Sequence, residues 1–388
     1  TTTAVMLAGK LLENAEKLLD KKIHPTVITK GYRMAAEKSQ QILNEIALRI
    51  TPNDDDVLKQ IAMTAMTGKG AEDAKEKFAN IIVKAVKQIY EDGKIDLNDI
   101  KIEKSKGDGI EDSELISGIV FDKEKVSHDM PTSIRGAKIF LLDFPLEIKN
   151  PEINTNISVS TPEQLRGFLM QEEKEIKNMI EIIKTSGANV VFCQKGIDDF
   201  AQYLLSKLKI NACRRIARSD MEKLSKATGA KIVSNINELT SAELGSAESV
   251  EEVKHGNDSF TYVRGCSNPK ALTILIHGGT SHVIDETERA IRDGLCDVVC
   301  SLKSGLIVPG GGAIEIELAR RLREFGHTLS GREQLAVEEF ASALEFIPTT
   351  LAENAGLDPI EVLTELKSRH DSGERNAGIN LFTNKVEN

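Results

Sequence analysis

The sequence predicts a multidomain chain in which mostly α-helical segments flank an inserted α/β domain. Three observations carry this expectation. Residues 4–90 place apolar side chains at helical spacing, the middle of the chain alternates short β-rich runs with helical patterns, and helical spacing returns after His277-Gly278-Gly279. Helical flanks on both sides of an α/β module make the outer domain discontinuous in sequence. The length of 388 residues allows two or three domains.

Ala4 to Asp20 reads as an amphipathic helix, with Val5, Ala8, Leu11, Leu12, Ala15, Leu18 and Leu19 recurring on one side. His24-Pro25 breaks it, because proline lacks an N–H and fixes φ. A second helix carries Ile28, Tyr32, Ala35, Ile42 and Ile46. Thr51 to Asp56 is a turn and acidic loop, and two more helices lie between Val57 and Tyr90. Lys138–Leu142, Ala188–Phe192, Lys231–Val233, Phe260–Val263 and Ala271–Ile276 are apolar, β-rich runs. Between them, a helix opens on the capping box Thr161-Pro162-Glu163-Gln164 and runs to about Lys184. Another covers Ile197 to Leu208, and a third begins at the capping box Ser219-Asp220-Met221-Glu222. Val283 to Cys300 is helical, and Pro309-Gly310-Gly311-Gly312 is a loop opening a long helix with Ile314, Leu318, Leu322 and Phe325 on one face. Ser330 to Glu333 and Asp358 to Glu361 cap two further helices.

Composition narrows the function. Hydrophobic residues make up 40% of the chain, enough for a sizeable core. A formal net charge of -10 argues against a general nucleic-acid backbone binder. No apolar run is long enough to span a bilayer, and the N-terminus shows no charged-then-apolar secretory signal. The five cysteines are scattered without a CxxC pair, which fits free thiols in a reducing, cytoplasmic compartment. His277 and His282 flank a Gly-Gly turn with no partner ligand in view, so no metal site is read there.

Four features could carry chemistry, and each has a plainer reading. Thr1, Thr2 and Thr3 stand directly ahead of a helix, where exposed N–H groups and hydroxyls suit an anion, though by themselves they read first as an ordinary N-cap. Gly310, Gly311 and Gly312 let backbone approach a nucleotide or phosphate closely, or form a loop that needs positive φ. Thr67-Gly68-Lys69-Gly70 looks like part of a P-loop but lacks the spaced upstream glycine, leaving a glycine-bearing loop with an exposed lysine. Asp293 lies off the Ile284–Ile291–Leu295–Val298 stripe and by itself is a solvated acid. Gly294 beside it is odd, because mid-helix glycine costs about 1 kcal/mol relative to alanine; a close approach by another group would explain it.

Taken together, these segments resemble one family, the group II chaperonins of archaeal thermosome type. Thr1-Thr2-Thr3-Ala4-Val5 is similar to the tail of the chaperonin signature Gly-Asp-Gly-Thr-Thr-Thr, and Thr67-Gly68-Lys69-Gly70-Ala71-Glu72 to the loop ahead of the central domain. Phe192 to Asp199, Ser219 to Leu224, Val308 to Ala313 and Ser330 to Ala336 also match the thermosome pattern, in order along essentially the whole chain.

The resemblance implies an ATP-driven, ring-forming chaperone with Mg²⁺ and ATP as cofactors. Its partners would be unfolded polypeptides and other subunits of a double ring, with neither nucleic acid nor membrane. It implies an equatorial ATP-binding domain over 1–56 and 312–388, an intermediate hinge domain over 57–134 and 280–311, and an apical substrate domain over 135–279. Carried over by position, Thr1, Thr2 and Thr3 would hold phosphates, and Gly310, Gly311 and Gly312 would lie against the nucleotide. Lys69 would sense the γ-phosphate, Asn380 would sit near the adenine, and Asp293 would orient the attacking water. A Mg²⁺-binding aspartate, a second catalytic aspartate and the rest of the equatorial domain are expected outside Thr1–Asn388. The alternative for the chain alone is a passive client-binding fragment without turnover; a small-molecule phosphotransferase would need a polar substrate cluster that the sequence does not offer. Two further expectations concern clients. Asn150 to about Glu172 would form the lid protrusion, and Phe200, Tyr203 and Leu204 on the 197–208 helix would offer apolar surface.

Overall fold

The computed structural model describes residues 2–70, 74–91, 93–107, 109–147, 162–236, 240–255, 258–266 and 271–388. In chain order the elements are α1 (Thr2–Asp20), α2 (Pro25–Ile46), β1 (Leu48–Arg49), α3 (Asp55–Met66), α4 (Lys75–Ile89), β2 (Ile100–Lys106), β3 (Glu114–Ile116), β4 (Gly118–Phe121) and β5 (Ser133–Leu142). Then follow α5 (Pro162–Ser186), β6 (Val190–Cys193), α6 (Asp199–Lys207), β7 (Asn211–Cys213), α7 (Arg218–Thr228), β8 (Ile232–Val233), β9 (Gly245–His255), β10 (Asp258–Cys266) and β11 (Leu272–Gly278). The chain closes with α8 (Ser281–Ser304), β12 (Leu306–Ile307), α9 (Ala313–Thr328), α10 (Glu333–Leu344), α11 (Phe346–Asn354), α12 (Pro359–Asp371), β13 (Gly378–Asn380) and β14 (Lys385–Glu387). These elements gather into two compact units, Thr1–Thr51 with Ser304–Asn388, and Pro52–Lys303.

The first unit is helical. Leu318 and Leu322 of α9 pack with Ala35 and Ile42 of α2 and Val337 and Ala341 of α10. Gly31 lets α2 and α10 approach so closely that a Cβ there would lie 2.5 Å from that of Ala336. A charged network sits within this apolar packing. Glu317 is fully buried. It accepts hydrogen bonds from Arg320 Nη2 at 2.9 Å and Arg321 Nε at 2.7 Å, and His370 Nδ1 lies 3.1 Å away. Burial pushes the Glu317 carboxyl up, but the hydrogen bonds from Arg320, Arg321 and His370 outweigh it and hold it at about 2.

The second unit is built on a seven-stranded sheet of order β4-β10-β9-β5-β6-β7, with β8 also paired to β5. Strands β6 and β8 run parallel to β5, and β7 runs parallel to β6. Side chains alternate between the faces as a pleated strand demands. Ile139, Leu141, Val190 and Phe192 face Met221 and Leu224 of α7, whereas Phe140, Leu142, Val191 and Cys193 face Ile180 of α5 and Leu205 of α6. Burial on both faces is why these strands read as continuous apolar runs. A separate three-stranded sheet, β2-β11-β3, contains the run at 271–276. Buried Thr273 stitches β11 to β4, accepting from Val120 N and donating to Gly118 O, both at 3.1 Å.

The structure corrects several sequence expectations. Strands β2 to β4 and β9 are absent from the apolar runs singled out above: charged residues interrupt β2, β3 and β9, which carries Glu248, Glu251, Glu252 and Lys254, and β4 is apolar but only four residues long. The Ser219 capping box does not form; α7 begins at Arg218 after Ala217 with no side-chain cap. Glu222, the acid of that box, pairs instead with Arg218 at 3.2 Å. Ser330 does not cap α10, whose first residue Glu333 pairs with Lys30 at 3.0 Å. Asp358 caps α12 as expected, accepting from Ile360 N and Glu361 N. Thr161 lies outside the described residues.

Glu317 supplies a stability prediction. Its folded value of about 2 lies below the ordinary 4.5. Its contribution is therefore complete above the ordinary value and lost as pH falls toward the folded one. Glu317→Gln should destabilise the protein at neutral pH by about 1.5–3 kcal/mol, because it weakens the charge-assisted hydrogen bonds from Arg320 and Arg321, which keep Glu324 and Glu45 as partners. The difference from wild type should shrink as the pH falls to about 3. Thermal midpoints of both proteins at the two pH values check this.

Candidate functional site

Two sets of residues named by the sequence come together, one in each unit. In the first unit, Gly311 and Gly312 adopt φ of +66° and +80°, the left-handed region that favours glycine. Gly311 O accepts from Ile379 N at 2.8 Å, which ties the loop to β13. A Cβ on Gly311 would lie 2.7 Å from Ile379 O, one on Gly312 would lie 2.6 Å from Pro348 Cβ, and one on Gly378 would lie 2.7 Å from Gly310 O. Gly310, by contrast, faces open space, with nothing within 4 Å of a Cβ. The loop thus needs glycine at Gly311 and Gly312 for backbone geometry, while Gly310 leaves the entrance of α9 uncovered.

Asn380 ends the strand that holds this loop. Its Nδ2 donates to Glu387 Oε2 at 2.8 Å and its Oδ1 accepts from Phe382 N at 2.9 Å, so its amide shapes the β13–β14 turn. Thr2 and Thr3 are exposed on the first turn of α1, and Thr1 lies outside the described residues. Exposed hydroxyls at the start of a 19-residue helix can donate to an anion alongside its free N–H groups.

In the second unit, Lys69 and Asp293 form an ion pair, and Lys69 Nζ also donates to Ala65 O at 2.7 Å. The pairing has a local cause. Gly294 on α8 is buried, and a Cβ there would come within 2.8 Å of Ile82 Cδ1, beside Ala62 O and Met66 Cγ. The missing side chain lets α8 lie against α3 and α4. Lys69 follows the end of α3 by three residues, with Gly68 turning at φ +74°. The close approach expected at Gly294 is therefore present, and it sets Asp293 beside Lys69. Asp293 keeps half of its side chain exposed.

On α6, Ala201 and Leu205 are buried core, Phe200 and Leu204 pack partly against that core, and Tyr203 is exposed with Lys207 Nζ 4.6 Å from its ring centre. Of the residues expected to offer apolar surface on this helix, Tyr203 is exposed and Phe200 and Leu204 are half-buried. The expected lid falls mostly outside the described residues; of its span, α5 is defined from Pro162 onward, with Arg166, Met170 and Gln171 exposed. No helix among the described residues is long and apolar enough to cross a membrane.

Comparisons with known proteins agree over the full length. The whole chain, residues 1–388, matches the TCP-1/cpn60 chaperonin family. It is 54% identical to a thermosome subunit of Methanopyrus kandleri and 55% identical to thermosome subunit beta of Archaeoglobus fulgidus, covering all of this chain and 72% of each relative. The open-state monomer of a group II chaperonin from Methanococcoides burtonii superposes with a TM-score of 0.72 at 47% identity, covering all of this chain and 91% of that one. A helical frame with an inserted α/β domain, matched throughout, is the architecture of a ring-forming molecular chaperone. The chain belongs to the TCP-1/cpn60 chaperonin family, and its relatives place it in group II.

The loop geometry makes a prediction. Gly311→Ala should lower stability by about 1–3 kcal/mol from backbone strain alone, with a further loss from the clash at Ile379. Hydrogen exchange at the Ile379 amide should speed up. Gly310→Ala, facing open space, should leave both the thermal midpoint and that exchange rate unchanged.

Proposed function

We propose that this chaperonin hydrolyses ATP with Mg²⁺ and uses the cycle to close a lid over an unfolded polypeptide inside a double ring in the cytoplasm. In this reading 1–56 and 312–388 form the equatorial domain, 57–134 and 280–311 the intermediate domain, and 135–279 the apical domain. Thr1, Thr2, Thr3, Gly310, Gly311 and Gly312 hold the phosphates, and Asn380 lies near the base. Exposed Thr2 and Thr3, the uncovered Gly310 and the left-handed backbone of Gly311 and Gly312 fit that role. Mg²⁺ accompanies the nucleotide, since it binds through one or two carboxylates plus substrate phosphates rather than an all-protein cage.

The observation that supports the reading most is the Lys69–Asp293 pair. The family resemblance assigns these residues to the γ-phosphate and the attacking water respectively, and their side chains meet from segments far apart in sequence. Phosphoryl transfer to water needs charge stabilisation and a positioned nucleophile. Lys69 supplies a cation for the first task and Asp293 an acceptor for the second.

Asp293→Ala in the full-length subunit should bind ATP nearly as well as wild type and hydrolyse it about 10²–10⁴-fold more slowly. A carboxylate that orients water acts chiefly in the transition state, and facing a polyphosphate it adds little to ground-state affinity. Nucleotide affinity and single-turnover hydrolysis measured on one preparation test this. Hydrolysis within about threefold of wild type, far short of the loss for a catalytic acid or base, would return Asp293 to a surface acid whose only partner role is structural.

A further inference from the structure

We propose that a cleft at the carboxyl ends of β5 and β8 captures an apolar side chain of an unfolded polypeptide when lysine or arginine flanks it. This rests on the reading of the chain as a chaperone and names the class of segment it takes.

The cleft has a volume of about 410 Å³ and lies between α5 and the segments that follow β5 and β8. Its apolar wall is made of Phe144, Met179, Ile182 and Ile236. All four are half-buried, packed against the core on one side and open to the cleft on the other. Half-exposed apolar surface in a concave site favours a hydrophobic ligand, because filling it removes water from both partners.

The rim is acidic. Glu147 and Glu175 line the cleft and are exposed, neither has an ion-pair partner among the described residues, and no lysine or arginine lines it among those residues. On the same helix α5, Glu173 pairs with Lys177 and Glu181 with Lys184. Glu175 on that helix and Glu147 both border the apolar wall.

Glu147 is also held in place. Leu146 N donates to Gly196 O at 3.1 Å, and the neighbouring Glu147 carboxylate lies directly over Gly196, where any side chain would collide with it. Gly196 has no left-handed φ to explain its identity. Its lack of a side chain gives the carboxylate its position at the cleft mouth. An apolar pocket with negative charge at its rim, Glu147 held over Gly196 and Glu175 exposed beside it, selects apolar segments with basic neighbours and rejects acidic ones, and the selection weakens with salt.

The test uses full-length protein and two labelled Gly/Ser peptides carrying Leu-Phe, flanked by lysines in one and by glutamates in the other. Fluorescence anisotropy at low salt should show the lysine peptide binding on the order of tenfold more tightly. Glu147→Gln with Glu175→Gln should remove the difference. Gly196→Ala, which displaces Glu147 without changing charge, should reduce it, and Met179→Ser should weaken both peptides. Equal affinities in wild type, or a preference that survives the Glu147→Gln/Glu175→Gln variant, would overturn the proposal. So would a change in native mass caused by Met179→Ser, which would mark the cleft as a contact between copies. If wild type retains a chemically denatured client protein while the peptides show no preference, the cleft fails and the chaperone reading stands. If it retains no denatured client, both fall.

Discussion

Asp293 reaches Lys69 because the residue after it has no side chain. At Gly294 the long helix α8 closes on α3 and α4, with Ile82 Cδ1 filling the space a Cβ would take. Helix propensity opposes this choice, since glycine in a helix interior costs about 1 kcal/mol relative to alanine. The gain is positional. With α8 laid against α3, a carboxylate on one segment and an amine on a loop more than two hundred residues earlier become a pair. A pair formed this way depends on the packing of α8 against α3 together with the turn at Gly68 that follows α3.

The same device recurs at Gly311. Its carbonyl accepts from Ile379 N, and neither Gly311 nor Gly378 leaves room for a Cβ at the crossing. Loop and strand are thereby fixed to one another, and Asn380, two residues beyond Gly378, is placed relative to the start of α9. Backbone that must approach other backbone needs glycine on grounds of space, and backbone that must turn left-handed needs it on grounds of sterics. Gly311 meets both conditions and Gly310 neither, so Gly310 is the member of the three left open toward solvent.

Much of this was legible in the sequence, and the parts that were not share a cause. Long helices were readable because their apolar residues repeat at helical spacing, and the inner strands because burial on both faces makes them uniformly apolar. Strands β2 and β9 were missed because one face or both carries charge, and their pairing depends on partners remote in sequence. The caps at Ser219 and Ser330 do not form: Glu222 pairs with Arg218 on its own helix, and Glu333 with Lys30, a tertiary cation that a local motif cannot reveal. At the site, mid-helix Gly294 was a true signal of close packing, whereas nothing local announced that Lys69 would be the partner of Asp293. The acidic rim of the apolar cleft was invisible, since Glu147 and Glu175 acquire meaning only beside Phe144 and Met179.

On the proposed reading this subunit turns over ATP within a ring. The most direct measurement is native mass and steady-state ATP hydrolysis on the same preparation of the full-length protein, with and without Mg²⁺. The account predicts a multi-subunit ring whose hydrolysis requires Mg²⁺. A ring that binds ATP but turns it over no faster than background, or turnover by single subunits of ordinary small-enzyme mass, would contradict it.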